Sequence, residues 1–263
     1  MDNLLKVISA ALPYFFLMFL RVSGILILSP IFGRKNVPNT MKIGFCIILT
    51  YLFAAIFPPN SPYVIDNVAV YVYSCVKELA IGFILGYVTT LFFSIATSAG
   101  YMIDVQMGIS MSGIFDQQTS SNVAVTGNLL NMIMLLYFFI SDGHHMLLKI
   151  LYSTFQKIPV GHVSIPANIV TAVVELFINA FSMSFCLMMP VIAVSLLVDF
   201  ALGLATRTVP QLNAFIVGIP LKIILGFVIL LFMQPLYVQF CSTLFNKMFE
   251  STELLLGKLA VIT

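Results

Sequence analysis

Two adjacent histidines follow an aspartate in the stretch Asp142-Gly143-His144-His145, and histidine and aspartate are side chains that bind transition metals. Adjacent residues of a helix point about 100° apart, and no second carboxylate stands one helical turn away. The pattern therefore argues against a metal site. Because Asp142 ends an apolar run, we expect it to be the N-cap of a helix that continues toward Phe155.

Charged residues also stand within or at the ends of long apolar runs: Arg21, Glu78, Asp104, Glu175, Asp199 and Arg207. An unpaired charge in hydrocarbon costs at least about 2.5 kcal/mol, so each side chain should face protein or water. A substrate or proton path is one interpretation of these residues. The other, which we favour, is ion pairing at helix ends and subunit seams, and it makes Arg21, Glu78, Asp142, Asp199 and Arg207 candidates for assembly.

A third kind of chemistry is suggested by a segment between two apolar runs, Gln106-Met107-Gly108-Ile109-Ser110-Met111-Ser112-Gly113-Ile114-Phe115, followed by Asp116. Its glycines permit a flexible loop, and its methionines are soft, polarizable side chains. Such residues can close a pore by apolar contact without binding any one substrate tightly. The segment is therefore a candidate pore plug, and an ordinary packed re-entrant loop is the alternative.

Catalytic and nucleic-acid functions find no support. The sequence contains no nucleophile elbow, Walker loop, His-Glu-x-x-His or dinucleotide fingerprint, so we predict no enzyme and no cofactor. The net charge of +2 comes from scattered residues, which argues against a nucleic-acid partner. The four cysteines lie far apart without CxxC spacing, and we expect them to be small apolar packing residues.

The elements that position these residues must be membrane helices. Hydrophobic residues make up 60% of the chain and charged residues only 8%, against about 25% in soluble domains. A chain of 263 residues with so few charges cannot form a polar shell around a core. Lipid or tightly packed partner subunits must cover it, and we predict an all-α integral membrane protein.

Six apolar runs are candidate spans: 7–31, 43–57, 79–103, 123–141, 169–198 and 223–245. We expect kinks at Pro190 and Pro235, where each proline removes a backbone donor from a helix. Loops are expected over 104–122 and 199–210. Lysine and arginine are distributed evenly between the two sets of loops, so the positive-inside rule gives no orientation. With neither repeat nor linker, residues 1–263 are predicted to form one domain.

The order and spacing of four stretches resemble the FliR family of flagellar biosynthetic proteins, subunits of the type III secretion export gate. They are Pro30-Ile31-Phe32-Gly33 with Val37-Pro38 and Lys42; Gln106-Met107-Gly108 leading to Phe115-Asp116; Asp142-Gly143-His144-His145 with Phe155 and Ile158-Pro159-Val160-Gly161; and Leu202-Gly203-Leu204 through Arg207, Pro210-Gln211, Asn213 and Phe215 to Val217-Gly218-Ile219-Pro220-Leu221-Lys222. The resemblance covers essentially the whole chain. One departure is Gln117 where the family commonly has proline.

The resemblance implies a non-enzymatic subunit of the bacterial inner membrane, in the flagellar basal body. It implies a hetero-oligomeric ring with FliP and FliQ, lifted largely out of the bilayer plane, with FlhB and FlhA nearby and unfolded flagellar subunits as the exported substrates. It also implies that residues 106–122 project into the channel as a plug. A virulence secretion gate and a small-solute permease remain as alternatives.

Overall fold

The computed structural model describes residues 2–34, 37–59, 67–111, 124–161, 163, 166, 169–209, 211 and 213–260. In these residues the chain forms seven α-helices and no strand, so the all-α prediction is confirmed. The helices are α1 (Asp2–Leu28), α2 (Asn39–Ile56), α3 (Val68–Met107), α4 (Val125–Ile140), α5 (Gly143–Lys157), α6 (Ile169–Thr208) and α7 (Ala214–Ala260). A 3₁₀ turn, Ile109–Met111, follows α3.

Two of the predicted loops are shorter than expected. Helix α3 continues through Asp104 to Met107, and α6 continues through Asp199 and Arg207 to Thr208. The prediction that these charged residues stand in connecting loops was therefore wrong. At the end of α3, Asp104 and Met107 are buried, and this packing outweighs the local preference for a break at a polar residue. The last turns of α6 have exposed or half-buried side chains.

The prolines expected to kink two helices lie inside continuous helical segments. Pro190 stands within α6, and Pro220 and Pro235 stand within α7. A proline in a helix removes one hydrogen bond, and membrane helices tolerate this where neighbouring groups satisfy the freed carbonyl.

Within the described residues, four helices are long and apolar enough to cross a membrane: α2, α3, α6 and the Phe215–Leu259 part of α7. Helices α4 and α5 supply a fifth span only if they are counted together. The described apolar part of α1, Leu12–Leu28, is shorter than the 18 residues that a counted span has. The described residues thus supply four or five of the six spans predicted from apolar runs, and the span predicted over 7–31 stays a prediction.

The chain divides into two compact units, and the prediction of a single domain stays a prediction. Unit 1 comprises Met1–Leu91, Asp142–Phe177 and Asn246–Thr263. Its core contains fully buried apolar side chains, among them Leu17, Val22, Ile81 and Leu256. Helices α1, α2 and α5 belong entirely to this unit.

Unit 2 comprises Phe92–Ser141 and Ile178–Phe245. Its core is built around three phenylalanines, with the ring of Phe138 5.6 Å from that of Phe93 and 5.3 Å from that of Phe245. Tyr237 of α7 donates a hydrogen bond from its hydroxyl to the carbonyl of Leu130 in α4 at 2.8 Å. Aromatic packing and this buried hydrogen bond hold α3, α4 and α7 together within the unit.

Candidate functional site

The candidate plug segment begins at the end of α3. Gln106 and Met107 form the last turn of that helix rather than the start of a loop, which corrects the expected boundary. Gly108 follows with a φ of 82°. Residues that have a Cβ rarely adopt this left-handed backbone conformation, and it ends the helix. Ile109 and Ser110 then continue in the 3₁₀ turn and are half-buried.

Met107 differs from its neighbours because its side chain is fully buried. It packs in unit 2 against the backbone of α7 at Gly226, where an added Cβ would lie 2.5 Å from the Met107 Cε. Gly108 also faces α7, since a Cβ there would contact the Ile219 side chain at 3.6 Å. The beginning of the segment is therefore docked on α7, and whether Met107 helps to block a pore stays a prediction.

A cavity of about 260 Å³ adjoins this docking point. It is lined by residues from the end of α3 together with residues of α6 and α7, including Gln106, Asp199 and Lys222. Lys222 and Asp199 form an ion pair there, with side chains 18% and 45% exposed. The pair neutralises two charges that would otherwise face the apolar end of α3.

The remaining residues of the candidate plug belong to a part of the chain that the structure does not describe. Ile114, Phe115 and Asp116 are outside the described residues, and of Met111 only the backbone is described. Their predicted role in blocking a channel stays a prediction.

After this segment the chain resumes at the N-terminus of α4, and Asp104 of α3 binds the first turn of α4. The N-cap residue of α4 is Ala124, which has no side chain able to accept a hydrogen bond. Both carboxylate oxygens of Asp104 instead accept from the Thr126 backbone N–H, at 3.1 and 3.0 Å. Asp104 is only 1% exposed, and the positive end of the α4 dipole favours the negative carboxylate there.

Asp104→Ala is expected to weaken this attachment by about 1–3 kcal/mol, since the buried Thr126 N–H then has no acceptor. Asp104→Asn should lose less, because its amide oxygen can still accept the bond while the favourable charge is gone. Melting temperatures of the two variants, purified in detergent with the partner subunits, measure the difference. Equal destabilisation by Asn and Ala would contradict a hydrogen-bonded cap.

The other charged centre is a buried ion pair in unit 1. Arg21 donates from Nε to the Glu78 Oε2 at 2.6 Å and from Nη2 to Oε1 at 3.0 Å, and both side chains are fully buried. Arg21 also donates from Nη1 to the carbonyls of Thr154 and Ile158, at 3.1 and 2.9 Å. Glu78 Oε1 accepts a further bond from the Gly161 N–H at 2.8 Å. The bidentate geometry and the extra bonds compensate for the removal of both charges from water.

The network around Arg21 joins three helices. The carbonyls of Thr154 and Ile158 lie at the C-terminal end of α5, where the Thr154 carbonyl also accepts from the Ile158 N–H at 2.9 Å. The guanidinium thus caps the negative end of α5 while it pairs with Glu78 of α3. These contacts lie within one chain, and the predicted role of Arg21 and Glu78 in subunit assembly stays a prediction.

Asp142 occupies the N-cap of α5 at the predicted position. It has φ of 55° and makes no capping hydrogen bond from its side chain. Its carboxylate instead contacts the His145 Nδ1 at 3.2 Å, with both side chains largely exposed. Asp142 is therefore the N-cap by position only, and its exposed contact with His145 contributes little because water screens it.

The two histidines lie closer together than their helical directions suggested. The ring centroids of His144 and His145 are 4.1 Å apart, and potential ligand atoms of Asp142 and both histidines all fall within 4.8 Å of one another. Exposed groups of this kind are common without an ion, and the prediction that they bind no metal stays a prediction.

The last two charged candidates are exposed helix residues. Glu175 is exposed in the first third of α6, and Arg207 is exposed in its last turn. A cation in the last turn is favourable with the helix dipole. Their predicted contributions to assembly or transport stay predictions.

Comparison with known proteins decides the family. The model of the family described as "Bacterial export proteins, family 1" matches residues 12–248. The chain belongs to this family. Among the relatives, the flagellar biosynthetic protein FliR of Bacillus subtilis (strain 168) is 34% identical over 257 residues, which are 95% of this chain and 96% of that protein.

Other members of the FliR family are similar along almost the whole chain. FliR of Escherichia coli (strain K12) is 30% identical over 251 residues, covering 95% of each protein. FliR of Aquifex aeolicus (strain VF5) is 27% identical, covering 90% of this chain and 91% of that protein. This family member is therefore a membrane protein of bacterial flagellar export, which confirms the resemblance seen in its motifs.

Two positioning residues were not recognised from the sequence. Gly226 stands in an apolar run without any local signal, and Thr126 contributes a backbone N–H that any residue but proline could supply. A weak N-cap residue before α4 is the one local sign that a cap must come from elsewhere in the chain.

Proposed function

We propose that this chain is a structural and gating subunit of the flagellar type III export gate in the bacterial inner membrane, within the flagellar basal body. It closes a ring with FliP and FliQ, lies near FlhB and FlhA, and acts without a catalytic step. The observation that carries the proposal is its similarity to flagellar FliR proteins over about 95% of its length.

Exposed apolar helix surfaces support an assembly. In α7, Phe232 is 79% exposed and Leu231 is 70% exposed, and only 11% of the most apolar window of that helix is buried within the chain. In α2, Tyr51 and Ile48 are likewise exposed. Surfaces of this kind are covered by lipid or by other helices, since exposed to water they would drive aggregation. A ring of membrane subunits supplies both kinds of cover.

The segment after α3 is the proposed plug. Ile109, Met111, Ile114 and Phe115 provide the apolar side chains that block the channel at rest, and unfolded flagellar subunits pass when the segment moves aside. The energy for this movement comes from other components of the apparatus. Support comes from Met107, which is buried against α7 and fixes the end of α3 from which the segment begins.

A flagellar role is favoured over a role in virulence secretion. The relatives at 30% identity or more are named flagellar biosynthetic proteins, and the Asp142-Gly143-His144 and Gly218-Ile219-Pro220-Leu221 stretches resemble the flagellar branch. Export of a flagellar hook protein in a strain that carries this chain in place of its own FliR distinguishes the two roles.

Coexpression tests the proposal most directly. The chain is produced with FliP and FliQ from the same source, and the mass of the copurified material is measured. We expect one large, defined complex that contains all three proteins. A stable lone protein or homodimer would overturn the ring and favour a permease that works by itself.

A further inference from the structure

A groove opens on unit 1 between the end of α1, the turn that follows it and the first half of α2. We call it the α1–α2 groove. It has a volume of about 580 Å³, within the range of about 300–1,000 Å³ that is typical of pockets for small molecules. Its walls are mostly apolar, and among the described residues that line it only Lys42 carries a charge and only Thr40 a hydroxyl. Both stand where α2 begins, so the groove has one polar end and a long apolar part.

Gly44 leaves the middle of the groove open. A Cβ added there would meet no atom within 4 Å. On the two rims, Ile27 of α1 and Ile48 of α2 are exposed. Helix α2 rises by about 9 Å from Lys42 to Ile48. The groove can therefore accept an elongated apolar group without any change in the packing of α1 on α2.

Two cations stand at the polar end. Lys42 donates from Nζ to the carbonyl of Gly33 at 3.2 Å, and Arg34 donates from Nε to the carbonyl of Pro30 at 3.2 Å. Both are thus attached to one turn, residues 30–33, and none of the ion pairs among the described residues includes either of them. Each of these bonds uses one donor, so the ammonium keeps two N–H donors and the guanidinium four. Two uncompensated charges with free donors favour an anion.

The position of Lys42 on α2 makes an anion more favourable still. Lys42 is in the first turn of the helix, where the positive end of the helix dipole disfavours a cation, and that turn contains no acidic residue. Helix α2 is a candidate membrane span of 18 residues and is about 27 Å long. Its first turn therefore lies near the lipid headgroups when the helix crosses a bilayer.

From these observations we propose that the α1–α2 groove binds one anionic phospholipid. The phosphate binds Lys42 and Arg34, and one acyl chain lies along Gly44 toward Ile48. An amphiphile of this kind supplies in one molecule the anion for the cations and the hydrocarbon for the apolar walls. An apolar helix of a partner subunit would cover the walls but leave both cations without a counter-charge. The inference goes beyond the proposed function and does not depend on it, since the chain itself holds the lipid.

A photoactivatable phosphatidylglycerol tests the site. The complex copurified with FliP and FliQ is reconstituted into phosphatidylcholine vesicles that contain a small fraction of phosphatidylglycerol with a diazirine in its acyl chain. Mass spectrometry then identifies the labelled residues. We expect labels on the groove walls, at Met41, Phe45 and Ile48, and much weaker labelling there by a phosphatidylcholine that carries the same diazirine. Equal labelling by the two lipids would overturn the proposal, because the cations would then select no anionic headgroup.

Filling the groove tests where the acyl chain lies. Gly44→Leu places a side chain in the open space without a backbone clash, and we expect it to abolish the labels on the groove walls. Gly203→Leu is the matched control, since a Cβ at this exposed glycine of α6 also meets nothing within 4 Å. It should leave the labels unchanged. If Gly44→Leu is labelled like the wild-type chain, the acyl chain does not occupy the groove and the proposal is wrong.

Removal of the two charges tests the headgroup contact. Arg34→Gln and Lys42→Gln are expected to lower the preference for phosphatidylglycerol over phosphatidylcholine by about fivefold each. Lys149→Gln, at an exposed lysine of α5 in the same unit, is the control and should keep the full preference. A full preference in the Arg34→Gln/Lys42→Gln double variant would contradict the site. This comparison also decides the question if Gly44→Leu fails to assemble, because it leaves the apolar walls intact.

A photocrosslinking amino acid at Met41 distinguishes a lipid from a protein in the groove. We expect an adduct with the mass of a phospholipid. An adduct with FliP or FliQ would overturn the lipid site while supporting the ring, so failure of this inference is distinguishable from failure of the proposed function. If no complex with FliP and FliQ forms, the chain alone is reconstituted and the same labelling decides whether the groove binds lipid.

Discussion

Deletion of residues 108–114 is expected to leave the complex assembled but to let ions and small dyes leak across the inner membrane. The deletion removes apolar side chains proposed to block the channel, including Ile109 and Met111. It spares Met107 and the Asp104 cap, so the folded helices keep their attachments. A shorter connection can still join α3 to α4, because the cap brings Thr126 to the end of α3. Dye uptake by intact cells and the yield of copurified complex are the two measurements.

A variant of unchanged length separates loss of apolar surface from loss of chain. Ile109→Ser, Met111→Ser, Ile114→Ser and Phe115→Ser are combined, and the combination should leak like the deletion if apolar contact makes the seal. If the deletion causes no leakage of ions or dyes and leaves motility normal, the plug hypothesis is wrong. Leakage from the deletion alone would show that chain length seals the channel rather than apolar contact.

Breaking the buried ion pair is expected to have the largest effect on stability. Arg21→Met leaves Glu78 buried without its cation and removes the guanidinium bonds to the carbonyls of Thr154 and Ile158. Removing one partner of a buried pair costs about 3–5 kcal/mol. We therefore expect unit 1 to unfold and the yield of the copurified complex to collapse. Arg21→Lys should also be impaired, because an ammonium group cannot reproduce the forked contacts of the guanidinium.

The double variant Arg21→Met/Glu78→Leu is the decisive comparison. It removes both charges at once, and apolar replacement of a complete buried pair is often neutral, so the complex should recover much of its yield. Lys222→Met is the matched control, because its partner Asp199 is 45% exposed and a pair so placed contributes at most about 1 kcal/mol. The interpretation fails if the double variant is no more stable than the worse single variant.

Local pattern and composition predicted the class of this protein and most of its helices. Low charge and long apolar runs predicted an all-α membrane protein, and that conclusion needs no knowledge of which residues touch. The N-cap position of Asp142 and the helix after it were also visible locally. The helix ends were harder to predict from the sequence. Helix α3 extends past Asp104 because its last turn is buried in the folded chain, and α6 extends past Asp199 through side chains that are exposed or half-buried.

The site depends on contacts that join residues far apart in the chain. Sequence could nominate Arg21 and Glu78 as charges that need partners, but it could not pair residues 57 positions apart or find the carbonyls that Arg21 caps. It nominated Met107 as a mobile plug residue, whereas the folded chain buries it on Gly226. Composition and periodicity thus determined that the chain folds as membrane helices. Only tertiary structure decided which charges are paired and where the end of α3 packs, because these depend on distances that local sequence does not encode.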